Sequence, residues 1–228
     1  IEACIELAPL HNPANLKGII SVDSLLPGLP QIAVFDTSFH QSMPPEAYMY
    51  AIPRQLYEEH GIRKYGFHGT SHKFVTGASA RFLGRPVEEL KLITCHLGNG
   101  CSITAVCEGR SVDTSMGFTP LEGVPMGTRC GDIDPAIVFH LMRRESMTAA
   151  QIETLLIRDG GLKGLGGIGS SDMRDLEAAA QAGNRQAESA IRVFAYRIKK
   201  YIGAYAVAMG GVDAIVFTAG IGENSPFI

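Results

Sequence analysis

Along Arg185 to Met209, Ile191, Phe194, Ile198, Tyr201, Ile202 and Tyr205 recur at i, i+3 and i+4 spacings, which predicts a long helix laying one face on a sheet. The stretch Leu92 to Val106, LITCHLGNGCSITAV, reads instead as a strand interrupted by Gly-Asn-Gly and then resumed. A turn at CEGR and a further strand, SVDTSM, extend it to Met116 as an antiparallel meander. VDAIVFT is a continuous apolar run, predicting a strand buried on both faces, and AGIGEN follows it as a turn before a helix. QIAVFDT, Gln31 to Thr37, predicts a short strand ending in an acid.

Punctuation predicts the remaining elements. Asn12 followed by Pro13 starts a helix to about Leu25. HQSMPPEAYMYAIP reads as a proline-broken loop or short helices, and Ser71 caps a helix that Gly84 and Pro86 end after Leu83. Helices follow at Pro135 to Arg144 and at Thr148 to Ile157, the second opening on the capping-box pair Thr148 and Gln151. Gly160 to Gly169 is glycine-rich and reads as a flexible or ligand-hugging loop, leading into the capped start SSDMRDLEAAA. A meander first, with helices and a buried strand afterwards and no internal repeat, predicts a mixed α/β domain.

Composition narrows the function classes. The chain has 228 residues, 46% hydrophobic and 19% charged, enough to bury a sizeable core. A net charge of −3 supplies no broad basic field, so nucleic acid is not an expected partner. No apolar run reaches the roughly 18 residues of a membrane span, and no secretory leader is expected. The cysteines, Cys4, Cys95, Cys101, Cys107 and Cys130, are odd in number and lack a C-x-x-C pair, so they read as small buried hydrophobes in a reduced, cytoplasmic compartment. The opening IEACIELAPLHNP, without an initiator Met, and the close AGIGENSPFI, at a helix start, lead us to expect a piece of a longer protein.

The turns carry the candidate chemistry. Glycine lets backbone amides approach an anion, and a concave run of N–H groups seats a phosphate. HLGNG has this character, with His96 and Asn99 adding donors; AGIGEN repeats it, and a third glycine-rich turn ends in Ser171-Asp172-Met173-Arg174. Taken singly, each is an ordinary turn; together they point to one long phosphorylated ligand with adenosine at one end. Asp36 ends its predicted strand, where an acid projects into a cleft or caps a turn. In YGFHGTSH, His68 precedes a helix and His72 falls in its first turn. As a zinc pair they lack an intervening Glu and suitably spaced cysteines, which ranks zinc below two structural histidines. Arg129, in PMGTRCGDIDP between Gly127 and Gly131, is placed to clamp a phosphoryl group rather than to coat a helix face. Asp132 and Asp134 read as helix-capping acids before Pro135.

The strings APLHNPAN, VFDTSFHQSMP, YGFHGTSH, ITCHLGNGCSITAV, DTSMGFTPLEGVPMGTRCGDIDPA, SSDMRDL and FTAGIGENS, in this order from end to end of the chain, resemble the acetate/propionate kinase (acetokinase) family. The resemblance implies an α/β fold of the actin, Hsp70 and sugar-kinase type (ribonuclease H-like), a mixed sheet with flanking helices, truncated here. It divides the chain into a remnant of a first domain, 1–38, and a second, nucleotide-binding domain, 39–228, truncated at its C-terminal end. The implied activity is reversible transfer of the ATP γ-phosphoryl group to acetate or another short-chain carboxylate, giving an acyl phosphate and ADP with Mg²⁺ or Mn²⁺, in a cytoplasmic homodimer. Propionate as acceptor, or a nucleotide-binding piece without activity, are the alternatives.

Carried over by position, Asp36, His68 and Arg129 match the catalytic set, Asp36 beside substrate and metal and the other two at the transferring phosphoryl group. His96, Leu97, Gly98, Asn99 and Gly100 match a phosphate loop; Asp172, Met173 and Arg174 the loop beside the nucleoside; Gly220, Ile221, Gly222, Glu223 and Asn224 a second nucleotide loop. Leu10, Phe67 and Pro120 match an apolar pocket for the acyl methyl group, with His11 adjacent. No metal ligand is assigned within the chain. The family's opening strand, a carboxylate-holding arginine and a magnesium-organising glutamate have no counterpart here, and Cys101 and Cys130 replace smaller residues.

Overall fold

Side chains alternate between the two faces of a strand, and the first hairpin uses that alternation to build two different surfaces. In the computed structural model, which describes residues 1, 2, 5 and 12–228, β1 (Lys91–Leu97) pairs antiparallel with β2 (Cys101–Cys107), matching Ile93 with Ala105, Cys95 with Ile103 and Leu97 with Cys101. These six residues are fully buried in the main apolar core. The alternate pairs, Leu92 with Val106, Thr94 with Thr104 and His96 with Ser102, occupy the other face. β3 (Arg110–Thr114) adds to β2 across the Glu108-Gly109 turn, where both residues have positive φ (53° and 76°), the backbone a two-residue hairpin requires. β4 (Ala214–Thr218) adds parallel to β1, so the four-stranded sheet runs β3-β2-β1-β4.

The chain divides into two compact units, Ile1–Phe35 and Asp36–Ile228. In the first, α1 (Asn12–Leu25) forms as predicted and none of its residues is buried. The strand expected at Gln31 does not form: the backbone from 31 to 35 is irregular, and Ile32 and Val34 are 88% and 73% exposed. An apolar run can form a strand only against a hydrogen-bonding neighbour, and among the described residues none pairs with it.

The second unit holds the sheet. A 3-10 turn at Ser38–Ser42, α2 (Pro45–Tyr48) and α3 (Arg54–His60) realise the proline-broken stretch. α4 (Gly69–Leu83) covers the mixed face with His72, Thr76 and Ala80 buried at four-residue intervals. α5 (Ala136–Arg144) and α6 (Ala149–Arg158) follow, the latter with the predicted capping box between Thr148 and Gln151. The glycine-rich stretch is not a loop: α7 (Gly161–Gly166) packs on α9. α8 (Met173–Gln181) is capped by Asp172, and α9 (Arg185–Ala208) sets the predicted stripe against the apolar face, burying Phe194, Ile198 and Tyr205. α10 (Ala219–Asn224) turns the expected AGIGEN loop into helix.

β4 is also a correction. Ile215 and Phe217 are 41% and 40% exposed, because β4 is an edge strand with β1 on one side only, so an unbroken apolar run here does not mean burial on both faces.

Phe194 is fully enclosed by the core. Phe194→Ala should cost about 3–5 kcal/mol of stability by urea denaturation; a loss under about 1 kcal/mol would mean that the α9 stripe is not the main core contact.

Candidate active site

The mixed face of the sheet grades from apolar to polar along its length. Leu92 and Val106 pack with Leu90 and Ala80 at one end, whereas Thr94, His96 and Ser102 lie toward the Gly-Asn-Gly turn, under the start of α4. A buried polar group must be hydrogen-bonded, and these are. His72 Nδ1 lies 2.7 Å from Thr94 Oγ1 and its Nε2 2.7 Å from Ser102 Oγ. Ser102 Oγ is also 2.9 Å from His68 Nδ1. His96 Nδ1 is 2.8 Å from Ser71 Oγ, and its ring stacks on His68 with centroids 4.1 Å apart. Nearby, the buried His40 bridges Ser111 Oγ and the Phe67 carbonyl, each at 2.9 Å. Burial lowers the proton affinity of His40 and His72, the latter strongly, and of His96, where Asp36 opposes the effect.

Asp36 joins this corner through the backbone. Its carboxylate accepts from the His68 amide at 2.7 Å, and its carbonyl accepts from the Gly69 amide at 2.8 Å. A Cβ at residue 69 would collide with that carbonyl, so the approach requires glycine. His68 caps α4 in the left-handed region (φ 57°), which a histidine tolerates better than most residues. The helix therefore begins at Gly69, and Ser71, its predicted cap, lies inside it and serves His96 instead.

Arg129 comes to the corner on a braced loop. Gly127 donates to the Asn99 carbonyl at 2.9 Å and Met126 to the Arg129 carbonyl at 3.0 Å. Leu162 and Lys163, at the start of α7, donate to the carbonyls of Met126 and Gly127. The glycines of 160–169 thus serve close backbone packing; a Cβ on Gly161 (φ 57°) would strike the Met126 carbonyl. Asp132 is not a helix cap: its carboxylate accepts from the Gly123 amide at 2.8 Å and the Tyr201 hydroxyl at 2.6 Å, closing the same loop. Asp134 does cap, accepting from the Ala136 amide at 2.9 Å. The Arg129 guanidinium, half-buried, donates to the Pro120 carbonyl at 3.1 Å. A Cβ on Gly100 would stand 3.3 Å from His68 Nε2 and 3.6 Å from Arg129 Nη1, so both groups face the Gly-Asn-Gly turn.

On the other side of that turn opens a cavity of about 660 Å³. Gly98, Asn99, Gly220, Ile221 and Asn224 line it with Asp172, Met173 and Arg174. Asp172 accepts from the Arg174 amide and from its guanidinium, which holds the carboxyl down at about 2. Ala219 begins α10 at φ 66°, a costly conformation for a residue with a Cβ.

The predicted residues therefore divide into two neighbouring groups. Asp36, His68, His96, Gly100 and Arg129 form the histidine corner, and the residues just named form the cavity wall. Leu97 is a core side chain, Gly222 packs against it, and Glu223 accepts from Thr218 and Ala219 at the start of its own helix. Phe67 and Pro120 contribute their carbonyls to His40 and Arg129. Leu10, His11 and Cys4 lie outside the described residues.

Sequence reasoning missed Ser102 and Thr94, read Ser71 only as a helix cap, and missed Glu177 and Ser225 in the cavity wall. A signal for Thr94 and Ser102 was present but weak: each is a hydroxyl residue among mostly apolar strand positions. Cys95 and Cys101 are buried, with thiols pushed up to about 12 by burial, as inert packing residues would be. Among the described residues no cluster of three or more His, Cys, Asp or Glu is arranged to hold a metal ion. No helix among the described residues is long and apolar enough to cross a membrane.

A mixed sheet between helices, with glycine turns converging on one cavity and a histidine–arginine corner beside it, places the unit with the actin-like kinase folds. Two solved structures match it closely: Porphyromonas gingivalis acetate kinase (TM-score 0.93, 51% identity, 98% of this chain and 56% of that one) and a Francisella tularensis propionate kinase (TM-score 0.94, 48% identity, 98% and 57%). The acetate kinase of Methanosarcina thermophila is 61% identical over 228 residues, all of this chain and 56% of that protein. That of Caldanaerobacter subterraneus subsp. tengcongensis is 62% identical over 227 residues, 99% of this chain and 56% of the relative. The chain belongs to the acetokinase family, which it matches over residues 1–228, and it spans a little over half the length of these relatives.

The neutral histidines make stability pH-dependent in a defined direction. Unfolded, each takes a proton near pH 6.5; folded, His40, His72 and His96 resist it. Their contribution is complete above about pH 6.5 and is lost as pH falls below it, by up to about 1.4 kcal/mol per pH unit for each of the buried His40 and His72 and by less for His96, which solvent partly screens. The urea midpoint should be lower at about pH 5.5 than at about pH 7.5; an equal or higher midpoint at the acid value would contradict neutral burial.

Proposed function

We propose that the full-length protein carrying this sequence is an acetate kinase, transferring the γ-phosphoryl group of ATP reversibly to acetate. A carboxylate oxygen attacks the γ-phosphorus in line, the bond to the β,γ-bridging oxygen breaks, and its electron pair leaves on ADP. The observation that carries this reading is the continuity of the cavity with the histidine corner through a single turn. Gly98 and Asn99 face the cavity, and Gly100 faces His68 and Arg129. A triphosphate lying along that turn, its nucleoside end toward Asp172–Arg174, would bring its terminal phosphoryl group to the corner.

Each residue then has a physical task. Turn amides receive phosphate oxygens, as backbone N–H groups do in anion nests. His68 and Arg129 neutralise charge on the transferring group, and Asp36 fixes the His68 backbone while facing the acceptor side. Residues 39–228 form the nucleotide-binding domain in this reading, and 1–38 the remnant of a first domain. Mg²⁺ or Mn²⁺ would accompany the nucleotide, held by phosphate oxygens and by parts of the full-length protein beyond this chain. A homodimer in the cytoplasm is the expected setting. Propionate is the second acceptor, favoured by the likeness to the Francisella enzyme.

Hydroxylamine trapping tests the reading: full-length protein with ATP and acetate should yield acetyl hydroxamate, and no trapped acyl group from either acetate or propionate would reject it. The same assay on the 228 residues alone separates an active piece from one that only binds nucleotide. Arg129→Ala should lower kcat by roughly 10²-fold or more with the urea midpoint unchanged, and unaltered turnover would remove Arg129 from the mechanism. Gly98→Val puts a branched side chain into the cavity and should weaken ATP binding at least about tenfold by calorimetry; wild-type affinity would make the turn merely structural.

A further inference from the structure

The row Thr94, His72, Ser102, His68 has a direction, and its buried end sets it. Thr94 is fully buried, and among the described residues its hydroxyl has one hydrogen-bonding neighbour, His72 Nδ1 at 2.7 Å. If His72 donated from Nδ1, the threonine proton would be left in the core without an acceptor, a cost that buried polar groups avoid. The hydroxyl therefore donates to Nδ1. His72, fully enclosed and neutral, has a single ring proton. With Nδ1 accepting, that proton sits on Nε2 and is donated to Ser102 Oγ at 2.7 Å. Ser102, buried as well, already accepts from His72 and directs its only proton to the remaining neighbour, His68 Nδ1 at 2.9 Å. A neutral His68 whose Nδ1 accepts carries its proton on Nε2, the nitrogen on the edge facing Gly100 and Arg129.

We infer that Thr94, His72 and Ser102 are positioning residues that lock His68 as its Nε2–H tautomer, so that the ring offers the cleft a hydrogen-bond donor and not a lone pair. The lock follows from the hydrogen bonds alone. Its use, donation to a phosphoryl oxygen from a neutral ring, rests on the kinase reading above. None of the three residues needs to touch substrate: Thr94 sets the direction, His72 transmits it and Ser102 delivers it. The opposite tautomer would aim a lone pair at an anionic oxygen and repel it, which is why the direction of the row matters for function.

The test is long-range ¹H–¹⁵N NMR of histidine rings in the full-length protein, at a pH where they are neutral. Wild-type His68 should show a protonated, pyrrole-type Nε2 and a bare, pyridine-type Nδ1. Thr94→Val keeps the shape and removes the donor, so His68 should shift toward a tautomer mixture, and Thr94→Ser should restore the wild-type pattern. Ser102→Ala should give a mixture outright. In the acyl-phosphate assay Thr94→Val should lower kcat roughly tenfold with KM for ATP little changed, since one donor is weakened and not deleted. A pyridine-type Nε2 in the wild type, or an Nε2–H pattern unmoved by both Thr94→Val and Ser102→Ala, overturns the lock. Because the spectra need no turnover, a wild-type Nε2–H pattern in a protein that forms no acyl phosphate would reject the kinase reading and leave the lock standing.

Discussion

The alternation of β1 and β2 is the constraint on which the rest of the molecule depends. One face of the hairpin, from Ile93 to Leu97 and Cys101 to Ala105, is apolar and is held by α9. The other begins apolar and ends in hydroxyls and imidazoles that no hydrophobic helix could cover without leaving polar atoms unpaired. α4 resolves this by running Ala80, Thr76, His72 and His68 over the same gradient, so apolar meets apolar and hydroxyl meets imidazole. Among the described residues, every buried side-chain nitrogen or oxygen has a partner. A one-residue slip of β1 or β2 would turn Thr94 or Ser102, respectively, toward the apolar core, so the register of the sheet and the integrity of the corner are one constraint.

Glycines do the second part of the work, through closeness more than flexibility. Gly69 admits the Asp36 carbonyl, Gly127 fits against Asn99, and Gly161 sits on the carbonyls of the Arg129 loop. Each contact brings a backbone segment within hydrogen-bond distance of another, and together they fix four separate stretches of chain around the Gly-Asn-Gly turn. The positive φ of His68 and Ala219, at the starts of α4 and α10, fits the same picture: conformations that cost free energy persist where surrounding bonds over-determine them, and such places tend to be functional.

Much of this was legible in the sequence. The meander, the α9 stripe and the capping box rest on local periodicity and turn chemistry, which a short window contains. The expected strand at Gln31 and the fully buried β4 failed for one reason: both depend on neighbours, and periodicity reports what a segment could pair with, not what is beside it. The loop expected at Gly160 failed differently, since six glycines in ten residues raise backbone freedom only until packing removes it. Within the site, charged and glycine residues stood out, whereas Thr94 and Ser102 did not. A hydroxyl in a strand is common, and only the fold shows that these two share a face with His72 and His68.

The division of the site into cavity and corner bears on why the joining turn is Gly-Asn-Gly. A turn that merely reverses a hairpin would tolerate many residues at Gly98, where an added Cβ meets only ordinary contacts at 3.5 Å and beyond. Such a position is sterically free inside the protein and open toward the cavity, so under the proposed function a need for glycine there would come from the ligand. Asn99 is fixed from behind, its carbonyl taken by the Gly127 amide. Gly100 has the opposite character, with His68 and Arg129 already close. One end of the turn is thus open and the other is crowded by His68 and Arg129, the order that the proposed phosphoryl donor, lying from cavity to corner, would require.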